Sequence, residues 1–179
     1  NTIIERTGGV PFYVEELARL IADQPAAALD DALPPSLSDF LTARLEAAGP
    51  AKRHAQIAAV LGAEFSASLF AAMLRPEGGD PAAVLGDLEN RSLIVRGAGD
   101  TCAFRHALVA DAAYEMLLKR ERRDLHEQAA RIILAHPDET PPEVVARHWT
   151  RAGRYAEAFE AWRAAAFAGH QRRAFHEAE

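Results

Sequence analysis

The chain has 179 residues, 49% of them apolar, and carries a formal net charge of −6. That length holds one ordinary domain, or a small domain with an appended helical array, and the apolar fraction excludes wholesale disorder. The acidic balance lacks the electrostatic footprint of a dedicated nucleic-acid binder. Alanine and leucine supply much of the apolar content and β-branched residues are sparse, a bias toward helix because neither residue loses much side-chain entropy there. Cys102 stands alone, so no disulfide forms within the chain, which suits a reducing, cytoplasmic setting. No apolar run approaches the roughly 20 residues that span a bilayer, and no secretory leader is legible. The first residues lack methionine and the last ones, Phe175 to Glu179, fall inside a helical pattern, so the sequence reads as a segment of a longer protein.

Gly8-Gly9-Val10-Pro11 breaks the chain before a first predicted helix whose apolar face is Tyr13, Leu17, Leu20 and Ile21. Alanine, aspartate and proline form a linker from Gln24 to Pro35. A second helix opens at Ser36, with Asp39 three residues on, and carries Leu37, Phe40, Leu41 and Leu45. A third starts at Pro50, turns Ile57, Ala58 and Leu61 inward, and ends at Gly62. Ser66 caps a short fourth bearing Leu69, Phe70, Met73 and Leu74. Asp80-Pro81 opens a fifth with Val84, Leu85 and Leu88. The period then changes: Leu93–Arg96 and Thr101–Arg105 flank Gly97-Ala98-Gly99-Asp100, a two-stranded hairpin. Helical spacing returns with Leu108, Ala112 and Met116, and later Leu125, Ala129, Ile132 and Ile133. Pro141-Pro142 opens a helix with Val145, His148, Trp149 and Ala152 inward, closed by Gly153. Its partner places Tyr155, Ala158, Phe159, Trp162 and Ala166 on one stripe. The expected architecture is mainly α: a winged-helix domain with a two-stranded hairpin, followed by tetratricopeptide-like helical hairpins.

The constellations that carry chemistry are thin. His126-Glu127 begins like a zinc-protease motif, but Ala130 stands where the second histidine must fall. No metal site is expected, and the histidines read as solvated or capping residues. Cys102 sits in a predicted strand and reads as a buried structural thiol. A phosphate-cradling G-x-x-x-x-G-K-[ST] loop is absent, and no nucleophile–base set stands out, so no catalytic residue is assigned. The run Lys119-Arg120-Glu121-Arg122-Arg123 reads as a junction between helices that meets acids within the chain. The fifth helix, which would read DNA in a winged helix, carries Asp80, Asp87 and Glu89, so nucleic acid is not an expected partner of this segment.

Three stretches together resemble one family. Ile4-Glu5-Arg6-Thr7-Gly8-Gly9-Val10-Pro11-Phe12-Tyr13-Val14-Glu15-Glu16-Leu17 is similar to the helical lid of the signal-transduction ATPases with numerous domains, the STAND class. Leu33-Pro34-Pro35-Ser36-Leu37 and Ala58-Ala59-Val60-Leu61-Gly62-Ala63-Glu64-Phe65 look like the start of that family's winged helix. Phe104-Arg105-His106-Ala107-Leu108-Val109-Ala110-Asp111-Ala112-Ala113-Tyr114-Glu115 completes it. The flavour is that of the ATPase regions in large bacterial class III adenylate or guanylate cyclases and in ATP-binding LuxR-type transcriptional regulators.

The resemblance implies three parts: residues 1–33 as the end of an ATPase lid and a linker, 34–136 as the winged helix, and 137–179 as the start of the repeats. It further implies a nucleotide site, shared with an upstream P-loop ATPase domain of the same chain, in which Gly9 and Pro11 lie against the adenine and His106 reaches the ADP phosphates. Proline suits such a wall because it is rigid, apolar and lacks a donor. An imidazole at a helix start suits an anion because the helix dipole adds to its own donor. Ala107 stands where the family's His-Asp variant has its acid. ATP or ADP is then the cofactor of the intact parent, and the repeats offer a surface to a protein partner or inducer. Two other readings stay open: a stand-alone winged-helix DNA-binding regulator, and a nucleotide-independent helical scaffold.

Overall fold

The computed structural model describes residues 36–135 and 140–176. The predicted lid helix and linker, with Gly9 and Pro11, lie outside the described residues. Eight helices and three strands succeed one another among those described. Helix α1 (Leu37–Ala47) begins as its sequence predicts: Ser36 Oγ accepts the Asp39 N–H at 3.1 Å, which satisfies one of the helix's unpaired amides. Pro50 starts α2 (Pro50–Leu61) without losing a needed donor, and this helix is the most deeply buried, with Ala55, Ile57 and Ala58 wholly covered.

Strand β1 (Glu64–Ser66), helix α3 (Ala67–Leu74) and helix α4 (Pro81–Asn90) follow. Asp80 Oδ1 accepts from Ala82 N at 3.1 Å and fixes the start of α4. Strands β2 (Ile94–Arg96) and β3 (Thr101–Phe104) form the expected hairpin, and β1 adds to it on the other side. The sheet is therefore three-stranded and antiparallel, in the order β1-β3-β2, where the sequence predicts two strands. Phe65 pairs with Cys102 in one register and Ile94 with Phe104 in the other. Three residues between a glycine and a helix cap are too few for alternation to be read, so β1 is set by its neighbour rather than by its own pattern.

Helix α5 (Ala107–Glu115) and helix α6 (Lys119–Leu134) come next, then α7 (Pro142–Ala152) and α8 (Tyr155–His176). The buried side of α5 is Val109, Ala110 and Ala113, one position off the predicted Leu108, Ala112 and Met116; Leu108 is exposed. The basic run does not lie between helices. Lys119 to Arg123 form the first turns of α6, against the dipole's preference. Glu121 compensates by accepting the Leu118 N–H at 3.2 Å, and Arg122 reaches back to the end of α5.

Two apolar clusters share α6. The larger runs from Phe40 through α2, the sheet, α3, α4 and α5 to Leu125 and Ala129. The smaller unites Ala130 and Ile133 with Val145, Trp149 and Ala158. Adjacent alanines on one helix thus belong to different cores. Gly153, at φ 77° and ψ 15°, closes α7 as predicted, and Arg154 N–H returns to the Trp149 carbonyl at 3.0 Å. Helix α8 departs from the sequence reading. Ala158 and Ala165 face the interior, while Tyr155, Phe159 and Trp162 are exposed, because alanines let α7 and α8 approach and leave the larger rings on the adjoining face.

Candidate functional site

His106 sits at the N-cap of α5, directly after β3, in extended backbone (φ −139°, ψ 129°), and is half-buried. Its side chain does not cap the helix amides. Neither Gly9 nor Pro11 is among the described residues. Cys102 is a free, buried thiol, and burial pushes its pKa up, in keeping with a structural role. No group of three or more histidine, cysteine or acidic residues among the described residues could hold a metal ion.

The most deeply buried polar side chains among the described residues lie elsewhere, where α5, α6 and α7 meet. His126 of α6 and His148 of α7 are 1% and 2% exposed, which overturns the reading of His126 as a solvated or capping residue. Burial of this degree is rare for imidazoles unless they are hydrogen-bonded. Their Nδ1 atoms approach to 2.8 Å, and His126 Nε2 lies 3.0 Å from the Tyr114 hydroxyl of α5. One side chain from each helix therefore forms a continuous polar chain through an apolar seam.

Proton counting limits the arrangement. A bond between two Nδ1 atoms holds one proton, so one ring carries Nδ1–H and the other accepts. His148 Nε2 has no hydrogen-bond partner among the described residues. If His126 held the Nδ1 proton, His148 would bury an unused Nε2–H. If His148 holds it, every N–H donates: His148 to His126, and His126 through Nε2 to Tyr114 Oη. We assign the second pattern from the network, since it leaves only a bare lone pair unsatisfied. The Tyr114 hydroxyl proton is then free to point elsewhere.

Cations ring this chain. The Arg122 guanidinium stands 4.7 Å from the Tyr114 ring centroid and that of Arg151 5.7 Å. Burial pushes both histidines well below the ordinary value; for His126 the neighbouring His148 and then Arg151, Arg147 and Arg122 add to it, and for His148 Arg147 and Arg151 do. Both rings are neutral throughout the physiological range. Arg122 itself is spent on the end of α5, binding the Glu115 carboxylate at 2.9 Å and its carbonyl at 2.7 Å, as well as the Leu117 carbonyl at 3.0 Å.

Tyr114 also lines a cleft of about 530 Å³ between α2, α5 and α7. The end of α2 from Ala59 to Gly62 forms its floor, Asp111 and Glu115 stand on α5, and Arg147 and Arg151 on α7. The arginines come from successive turns of one helix, as do the carboxylates, so the cleft opposes two charge pairs. The sequence could have shown half of this site. His148 sits on the predicted apolar face of α7. His126 shares the face of Ala129 and Ile133, but its neighbour Glu127 directs attention to a metal motif instead.

No family model matches the chain, and no solved structure matches it. The chain is similar to an uncharacterized protein of Rhizobium meliloti (strain 1021), 29% identical over 133 residues, which covers 68% of this chain and 13% of that protein. The chain thus spans about an eighth of the length of that relative. No helix among the described residues is long and apolar enough to cross a membrane.

Proposed function

We propose that the chain is the regulatory segment of a nucleotide-switched signal-transduction ATPase of the STAND class, a winged helix followed by the first tetratricopeptide-like hairpin. The observation that carries the reading is the order of elements: α2, β1, α3, α4 and the β2–β3 hairpin, with β3 central, ending on His106 at the opening of α5. A winged helix is built in this order. The helical pair α7 and α8, joined through a left-handed glycine, supports the repeat. The similarity to a small fraction of a much longer protein supports a segment within a multidomain chain.

In the intact parent, an upstream P-loop domain holds ATP or ADP, Gly9 and Pro11 wall the adenine, and His106 donates to the ADP phosphates. ADP favours a closed state only through contacts that the open state lacks, and the bond from His106 is one of them. The output domain is a nucleotidyl cyclase or a transcriptional regulator, and the repeats receive a partner or inducer. The segment performs no chemistry alone and acts in the cytoplasm. The test is His106→Ala in the intact parent, with ADP affinity and basal ATPase rate measured. Loss of a hydrogen bond to a charged group costs about 1.5–3 kcal/mol, so ADP should bind roughly tenfold to a hundredfold more weakly, with basal activity raised. Unchanged affinity and activity would remove the switch from this residue.

A further inference from the structure

The polar chain at the junction of α5, α6 and α7 has no part in the nucleotide reading, and its geometry asks for another explanation. One histidine comes from α6, which packs on the sheet-bearing core, and the other from α7 of the α7–α8 hairpin. Both rings are almost wholly covered, and a third partner, Tyr114, ties the pair to α5. The network closes only when the two rings share a single Nδ1 proton and both are neutral.

We infer that His126 and His148 form a proton-operated latch, which holds the α7–α8 hairpin against α6 while neutral and releases it when protonated. An added proton has one place to go, the lone pair of His148 Nε2, which has no acceptor to donate to among the described residues. The imidazolium so formed is buried on α7 with Arg147 and Arg151 acting against it, and the same two arginines, with Arg122 of α6, act against a charge on His126. Compensating carboxylates are few. Glu115 of α5 is engaged by Arg122, leaving Asp111 of α5 across the cleft. Of the other acids on α6, α7 and α8, Glu121 pairs with Arg53 of α2, Asp124 with Arg120, Glu127 and Glu157 with Arg154, and Glu160 with Arg163, while Glu143 stands in the first turn of α7. The proton is accommodated more readily by opening the seam, where each ring meets water, than by charging it in place.

The sign follows from proton uptake. Opened, the histidines titrate near their ordinary value of 6.5; closed, they do so far lower. Above 6.5 neither state takes up a proton and the latch is at full strength. Below it the opened state binds more protons, so closure weakens by about tenfold per pH unit for each histidine exposed.

The experiment is amide hydrogen exchange on the 179-residue chain between pH 7.5 and pH 5, expressed as protection factors. The expected result is a fall of at least tenfold in the protection of α7 and α8 across this range, with α2 and the sheet unchanged. The His126→Phe, His148→Leu double variant should lose that dependence. Constant protection of the hairpin, an equal loss in hairpin and core, or the same dependence in the double variant would each overturn the latch. Nitrogen-15 resonances of the histidines in the unaltered chain supply a reading that does not depend on the variant folding. Imidazoles that titrate near 6.5 while the hairpin stays protected would also overturn it; neutral imidazoles that charge only as protection is lost would support it. None of these outcomes touches the nucleotide reading, which His106 tests separately.

Discussion

Asp100 joins two parts of the chain that the sequence keeps 32 or more residues apart. It lies in the turn between β2 and β3, yet its carbonyl accepts the Ala67 N–H at 2.7 Å and its Oδ1 the Ser68 N–H at 2.9 Å. Ser66 Oγ accepts the Leu69 N–H at 3.0 Å, so the first three amides of α3 are satisfied by these two residues. The Ser66 hydroxyl outweighs the opposing effect of burial and, with smaller help from the Ser68 hydroxyl and amide, holds the Asp100 carboxyl below its usual pKa. Its contribution is therefore complete above the ordinary carboxylate range and fades as pH falls through the lowered value. Asp100→Ala should cost about 1 kcal/mol in urea unfolding at neutral pH, the usual worth of a cap, and Asp100→Asn less, because the amide oxygen still accepts from Ser68. Equal stability of all three proteins would show that this contact is not maintained in solution. The sequence discloses Ser66 as a cap, since serine before an apolar stretch is local information. It hides Asp100, whose role depends on how β3 lies against β1. His126 is hidden for the same reason, its meaning being fixed by His148 on another helix.

At the scale of elements, local signals carried most of the helix boundaries. Ser36, Pro50, Asp80-Pro81 and Gly153 each act within a few residues of themselves, and each falls where its chemistry places it. The faces were harder to read in alanine-rich stretches. Helix α8 offers Ala158 and Ala165 to α7 and turns its rings outward, because periodicity weighs a large residue above a small one while close helix packing selects the small. The basic start of α6 is hidden for a similar reason: Arg122 is paired with Glu115 and the Leu118 amide is capped by Glu121, contacts that run back across the junction. Gly153 gives the sharpest test at this scale. A Cβ there would come no closer than 3.8 Å to Arg123, an ordinary contact, so the cost of Gly153→Ala is conformational and not steric. Left-handed backbone costs an L-residue roughly 1–2 kcal/mol. The substitution should lower stability by that amount in denaturant titration, with the α7–α8 pair still formed. A loss several times larger would mean that the turn is packed more tightly than its geometry indicates.

For the whole molecule, the division of apolar packing between two clusters on α6 decides how the chain comes apart. Phe70 is wholly buried in the larger cluster, where it meets Phe65 at 5.5 Å between ring centroids, and Trp149 is nearly so in the smaller one. Truncating a buried aromatic to alanine costs about 3–5 kcal/mol, a large share of the 5–15 kcal/mol that holds a typical domain. Similar losses should nonetheless have different reach. Phe70→Ala removes packing shared by α2, α3 and the sheet, and every later element rests on those, so its effect should be global. Trp149→Ala removes packing from a cluster that touches the rest through Ala130 and Ile133 of α6 and through Leu69 of α3, so most of the damage should stay with α7 and α8. Limited proteolysis with hydrogen exchange would separate the two: in Trp149→Ala, cleavage and exchange should rise in α7 and α8 while β1, β2 and β3 keep their protection. Uniform loss in both variants would show that the clusters fold as one unit, because α6, from Ala130 to Ala129, and Leu69 of α3, which packs on both clusters, would then transmit the defect instead of containing it.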